Sequence, residues 1–285
     1  MNSSQLMGFT TFAYLAASFL YIAIFVFRAK KLGIIASVFT LIAFLVQTAA
    51  FGLRWMESYQ IGYGHAPLTN MYESLVFFAW AIVLFYLGLE YKFKNRLIGA
   101  FAVPFAFLSM ALATLTGDEI KPLIPALQSN WLIAHVMTCF VGYAAFAVAC
   151  GMGIMYLLKS YGIEKSSGKK GREESLLSTL PDLNVIDDVT HKTIVFGFLW
   201  LSAGIISGAI WANSAWGTYW SWDPKETWSL ITWFVYAGAL HARFTKGWGG
   251  KRIAWLAIIG FVSVVFTYYG VNYLLSGLHS YGSAG

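Results

Sequence analysis

The chain has 285 residues, of which 58% are hydrophobic and 11% charged, with 19 Lys and Arg against 13 Asp and Glu. Ordinary soluble domains carry about 25% charged residues, so a soluble globular protein is excluded. Apolar runs approaching the roughly 20 residues that a helix needs to cross ~30 Å of hydrocarbon recur along the chain, and the alternation of a membrane β-barrel is absent.

In chain order the runs predict helices at about 8–27, 32–53, 71–91, 97–115, 131–158, 193–212, 226–244 and 253–276. The expected fold class is therefore all-α, a polytopic membrane helical bundle of about eight transmembrane helices. The first run does not read as a cleavable signal peptide: Met1 to Met7 has no basic side chain, while Arg28, Lys30 and Lys31 follow the apolar stretch. Basic residues of short loops stay on the cytoplasmic side. Arg28, Lys30, Lys31, Lys92, Lys94, Arg96, Lys159, Lys165, Lys169, Lys170, Arg172, Lys192, Arg243, Lys246, Lys251 and Arg252 fall on one side of the predicted bundle, and only Arg54, Lys121 and Lys225 on the other. This bias predicts both termini outside, and it accounts for the net charge of +6 without a nucleic-acid partner.

The chain reads as a single membrane domain, 1–285, with a cytoplasmic loop at 159–192 and an external tryptophan-rich loop at 213–225. The cytoplasmic loop opens on KSSGKKGREE, a flexible basic tether, and its continuation LLSTLPDLNVIDDV also suits a short helix on the inner surface. Small residues at Ala145, Ala149 and Gly153 in the fifth helix, and at Gly204 and Gly208 in the sixth, predict close helix approach. Cys139 and Cys150 share one helix with no CxxC or CxxCH, and are expected to be small packing residues.

Five histidines carry the candidate chemistry: His65, His135, His191, His241 and His279. His135 lies about one turn inside the outer end of helix five, and His279 just past the outer end of helix eight. The stretch WGTYWSWDPKETW, Trp216 to Trp228, is on the same side. Two imidazoles can fill both axial positions of a haem iron while Trp216, Tyr219, Trp220, Trp222 and Trp228 cover the porphyrin and Lys225 meets a propionate. Taken singly, each residue also has a plain structural reading: an interfacial histidine bonded to backbone, or an aromatic belt at the lipid boundary. Asp223, Pro224 and Glu226 further match a helix start, with Asp223 as N-cap, Pro224 in the first turn and Glu226 at capping-box spacing.

His241 is fifteen residues beyond Glu226 on the same helix, ~22 Å further in, too far to share an iron with His135 and His279. It is a candidate ligand of a second, intramembrane haem with Arg243 two residues on, and its axial partner is not evident. His191, at the inner entrance of helix six, could serve or could be a surface residue. His65 is expected to have a minor structural role.

The segment WGTYWSWDPKETWSLITWFVYAGALHAR resembles the tryptophan-rich WWD motif of haem-handling proteins, in its form in the CcsA (ResC-like) family of System II cytochrome c biogenesis. NMYESLVFFAW, WLIAHVMTCFVGYAAF and GVNYLLSGLHSYG are similar to other segments of that family, so that the resemblance covers most of the chain from about Pro67 onward. It implies a holocytochrome c synthase activity exerted with a CcsB (ResB-like) membrane subunit: ferrous haem b is exported or relayed and presented for attachment to CxxCH motifs of apocytochrome c on the external side. It implies His135 and His279 as external axial ligands, and His241 as a ligand of an inner haem whose partner comes from CcsB. Trp216, Trp220, Trp222 and Asp223 join His135 and His279 as the residues expected to act in the reaction. The implied location is a bacterial cytoplasmic membrane or a thylakoid membrane, with lipid around the helices. The alternatives are a System I haem-delivery protein, a dihaem b-type electron-transfer subunit and a transporter unrelated to haem with an aromatic gate.

Overall fold

A computed structural model describes residues 1–29, 31–166 and 176–275. Among them there is no strand, and nine helices follow in order: α1 Ser3–Phe27, α2 Leu32–Gln60, α3 Met71–Phe93, α4 Gly99–Ala113, α5 Asn130–Ser166, α6 Leu183–Trp216, α7 Pro224–Lys246, α8 Lys251–Val265 and α9 Val271–Leu274. A π-helical turn, Phe266–Gly270, joins α8 to α9 without a break. Seven helical segments are long and apolar enough to cross a membrane. They are the segments built on α1 to α6 and the α8–α9 unit, so the polytopic helical bundle is as expected.

The eighth predicted span, α7, falls short on composition rather than length. Its 23 residues extend about 35 Å at 1.5 Å each, and it packs between α6 and α8, but Lys225, Glu226, His241, Arg243 and Lys246 dilute its apolar face.

The helix ends follow local chemistry. Asn70 caps α3 by accepting from the Glu73 amide at 2.8 Å. Asp223 and Glu226 form the capping box read from the sequence, with Pro224 in the first turn of α7. Two elements run further than expected: α5 continues to Ser166, and α6 begins at Leu183 and ends only at Trp216, where Gly217 takes the left-handed conformation (φ 78°). The connection between α6 and α7 is therefore the short stretch from Gly217 to Asp223. Between α5 and α6, Leu176–Thr179 forms a single 3₁₀ turn, and Lys159 of α5 donates to the carbonyls of Leu180 and Pro181 at 2.8 and 2.7 Å. The KSSGKKGREE tether lies largely outside the described residues.

α5 is the axis of the bundle, packed against α3, α4, α6 and α8. Its small residues act as expected: Ala145 and Ala149 are fully buried, and a Cβ at Gly153 would lie 2.7 Å from the Ala254 carbonyl oxygen of α8. Cys139 and Cys150 are buried, unlinked packing residues. Arg54 and Glu73 form a buried ion pair, Nε to Oε1 2.8 Å, between α2 and α3. His65 is also buried, with ring nitrogens 3.1 Å from the Ala66 carbonyl and 2.9 Å from that of Lys121, so it ties the loop after α2 to the loop after α4.

Candidate functional site

One end of the bundle gathers the start of α5, the end of α6, the start of α7 and the α8–α9 unit, and the basic-residue count predicts that this end faces outward. A cavity of about 130 Å³ lies among them. His135, Cys139, Trp220, Lys225 and Tyr268 are in its wall, and the Gly217–Asp223 connection contributes Tyr219 and Trp220.

His135 is held from two sides. Its Nδ1 lies 2.8 Å from the Gly204 carbonyl oxygen of α6, and its ring stacks on Trp211, with centroids 5.8 Å apart and planes at 28°. Donation of Nδ1–H to a carbonyl selects the neutral tautomer with its lone pair on Nε2, the arrangement usual for a metal-binding histidine. The ring has room because α6 presents glycine: a Cβ at Gly208 would lie 2.6 Å from His135 Nδ1, and one at Gly204 would meet Cys139 Sγ at 2.5 Å. The stripe of small residues predicted from sequence thus serves the histidine as well as helix packing. Trp211 is fixed in turn, its indole N–H donating to the Ala126 carbonyl at 3.0 Å.

The tryptophans do not form one platform. Trp216 is the last residue of α6 and packs on Trp211 at 5.1 Å. Trp228 turns to the π-helical turn after α8 and packs on Phe266 at 4.1 Å. Tyr219 and Trp220 cover the cavity. Trp222 meets Trp220 edge to face at 5.8 Å and is 68% exposed, on a backbone with φ 59°. A left-handed non-glycine residue of this size is uncommon, and such residues concentrate at functional sites.

The charged residues sort in the same way. Asp223 is buried and accepts from the Lys225 amide at 3.1 Å, while Glu226 Oε2 gathers the Ser221 and Asp223 amides at 2.7 and 3.2 Å. Both carboxylates therefore shape the turn. Lys225 is the cation of the site: partly buried, in the cavity wall, with Nζ donating to Asn272 Oδ1 at 3.0 Å.

The residues expected at the inner end are arranged differently. His241 lies on the exposed face of α7, its carbonyl accepting from Thr245 Oγ1 at 2.7 Å. Arg243 pairs with Asp187 of α6 at 2.6 Å and also reaches the Trp248 carbonyl, while Asp187 accepts the Gly250 amide at 2.7 Å. These bonds tie α6 to the α7–α8 turn. His191 packs edge-on against Phe244, centroids 5.5 Å apart. His279 lies outside the described residues. Asn272, Tyr268 and Thr267 were not expected at the site. Asn272, a lone amide in an apolar run, was the only sequence signal for them.

Fold and site together define a polytopic membrane protein with an aromatic, histidine-bearing cavity at one end of its bundle. The chain belongs to the cytochrome c assembly protein family, which matches residues 68–279. It is 44% identical over 257 residues to "Cytochrome c biogenesis protein CcsA" of Guillardia theta, covering 85% of this chain and 84% of that protein. The protein of the same name from Gloeobacter violaceus (strain ATCC 29082 / PCC 7421) is 37% identical over 341 residues, covering 99% and 98%. Among solved structures, "Cytochrome c Heme Lyase CcmF" shares the fold with a TM-score of 0.65 at 18% identity. That match covers 94% of this chain and 47% of the larger one. The family expected from the WWD-like segment is thus the family found.

Proposed function

We propose that this protein holds haem as a substrate at the outer end of its bundle and presents it for covalent attachment to apocytochrome c. One observation carries the reading: His135, its Nδ1 engaged by the Gly204 carbonyl, stands in an aromatic cavity beneath the tryptophan-bearing connection. The donor set fits haem: a neutral imidazole for the iron, indole and phenol faces for the porphyrin, and the Lys225 ammonium for a propionate. The space fits only after movement. About 130 Å³ is below the ~300–1,000 Å³ of ordinary ligand pockets, so Gly217–Asp223 must lift for the ring to enter.

His135 supplies one axial ligand and His279 the other. Tyr219, Trp220 and Trp222 hold the porphyrin edge toward solvent, where two thiols of a CxxCH segment add across two vinyl groups. Each addition forms one C–S and one C–H bond at the expense of one S–H and one C=C π bond, and no external oxidant is required. His241, exposed on α7, is the ligand of an inner haem completed by a CcsB-type subunit. Ferrous haem b passes from there to the outer site, in a bacterial cytoplasmic membrane or a thylakoid membrane with both termini and the cavity on the external side.

The test is the absorption spectrum of the complex purified with its CcsB-type partner. Wild type is expected to show a bis-imidazole haem signature. The His135→Ala/His279→Ala protein should lose it and stop maturing cytochrome c, with partial recovery in added imidazole. Unchanged haem and unchanged maturation in that variant would overturn the reading.

A further inference from the structure

The π-helical turn between α8 and α9 stands beside the cavity, with Thr267 and Tyr268 in the cavity wall. In it the Val271 amide donates to the Phe266 carbonyl, five residues back, so the helix carries one residue more than an α-helical turn would. One extra residue rotates everything beyond it by ~100° relative to an unbroken α-helix. π-turns of this kind are frequent at functional sites.

Its residues are pinned on both sides of the insertion. Thr267 Oγ1 lies 2.8 Å from the Ser263 carbonyl, 3.1 Å from the Trp228 carbonyl of α7 and 2.9 Å from Thr232 Oγ1. Its single proton is shared between the two carbonyls, and it accepts from Thr232. The Tyr268 hydroxyl bonds Ser74 of α3 at 2.5 Å, with its ring edge-on to Phe140. Both residues line the cavity. Beyond the insertion, Asn272 meets Lys225 at 3.0 Å. Gly270 makes the arrangement possible: a Cβ there would lie 2.6 Å from Phe266 Cδ2, and the Phe266 ring packs on Trp228.

We infer that the π-turn Phe266–Gly270 sets the phase of the outer end of α8, placing Thr267 and Tyr268 in the cavity wall while turning Asn272 onto Lys225. Asn272 is then a positioning residue: its carboxamide holds the ammonium at the cavity wall and, as a neutral partner, yields it to a carboxylate. The assignment of that carboxylate to a haem propionate rests on the function proposed above.

Counting variants separate phase from side-chain loss. In full-length Cys150→Ala protein, co-expressed with its CcsB-type partner, Cys139 of the cavity wall is the sole cysteine of this chain and reports cavity closure through its rate of maleimide labelling without haem. Deletion of Tyr269 removes the extra residue, whereas Tyr269→Ala keeps the count. The deletion is expected to raise Cys139 labelling several-fold and to lower retained haem about tenfold, as loss of an outer-shell partner does. Tyr269→Ala should stay near wild type in both, and Asn272→Ala should reproduce the haem loss with little change in labelling. Should the deletion protein not accumulate in the membrane, Gly270→Ala, which presses on Phe266, carries the same expectation. Equal behaviour of the deletion and Tyr269→Ala, or wild-type labelling in the deletion or in Gly270→Ala, overturns the inference. A wild-type protein that binds no outer haem, yet shows the labelling pattern, overturns the proposed function and leaves the phase assignment standing.

Discussion

His135 and His241 occupy opposite ends of the bundle and opposite kinds of surroundings. The first is enclosed by its own chain, with a carbonyl on Nδ1, an indole on its face and glycine opposite. The second lies on the exposed side of α7, and the charges near it, Arg243 and Asp187, are spent on joining α6 to the next turn. An imidazole oriented by its own fold takes its geometry from this chain, whereas one on an open helix face acquires its geometry from whatever covers that face. On the function proposed above, the outer site is thus a property of this chain and the inner site a property of a complex.

The largest expected effect breaks the comparison directly. His135→Ala should lower outer haem affinity beyond the roughly 10–100-fold typical of supporting residues, and His241→Ala should leave the outer haem in place while abolishing inner haem in the complex. Quantified haem content with and without the CcsB-type partner checks both. Next, Gly208→Val should displace the His135 ring and cost about 10–100-fold in outer haem retention, with a folded bundle by circular dichroism and labelled-thiol melting. Arg243→Ala should cost roughly 1–3 kcal/mol of stability in thermal melts, because it leaves Asp187 without its cation, and should spare the outer haem spectrum. Smallest is Asp223→Ala, which removes the cap of α7 at a cost of about 1 kcal/mol. Its signature is faster proteolysis within the Gly217–Asp223 connection rather than loss of the iron ligand.

Much of this was legible in the sequence where one residue carries its own signal. Apolar runs marked eight spans, of which seven are long and apolar enough to cross a membrane among the described residues; the Asp223–Pro224–Glu226 pattern marked the start of α7, and glycine spacing marked the contact of α5 with α6. The end of α6 was misjudged because Asn213 and Ser214 read as loop residues, whereas the stop is Gly217. The tryptophans were read as one surface because sequence proximity does not say which way a ring turns. Trp216 and Trp228 belong to different helices and face different neighbours. Tyr268 was illegible, and Asn272 showed only as a lone amide in an apolar run, because a π-turn breaks the 3.6-residue periodicity by which faces are read. Even the charge count held a hidden term: of the three basic residues expected on the outer side, Arg54 is buried against Glu73 and Lys225 faces the cavity, leaving Lys121 exposed.

The left-handed backbone of Trp222 has a mechanical consequence. A bulky residue at φ 59° sits about 1–2 kcal/mol above a relaxed conformation, and here it lies in the seven-residue connection that, on the proposed function, rises to admit a porphyrin. The closed connection is therefore a loaded spring: part of the work of opening is already stored in it, and Trp222→Gly would release that tension while leaving the closed shape accessible.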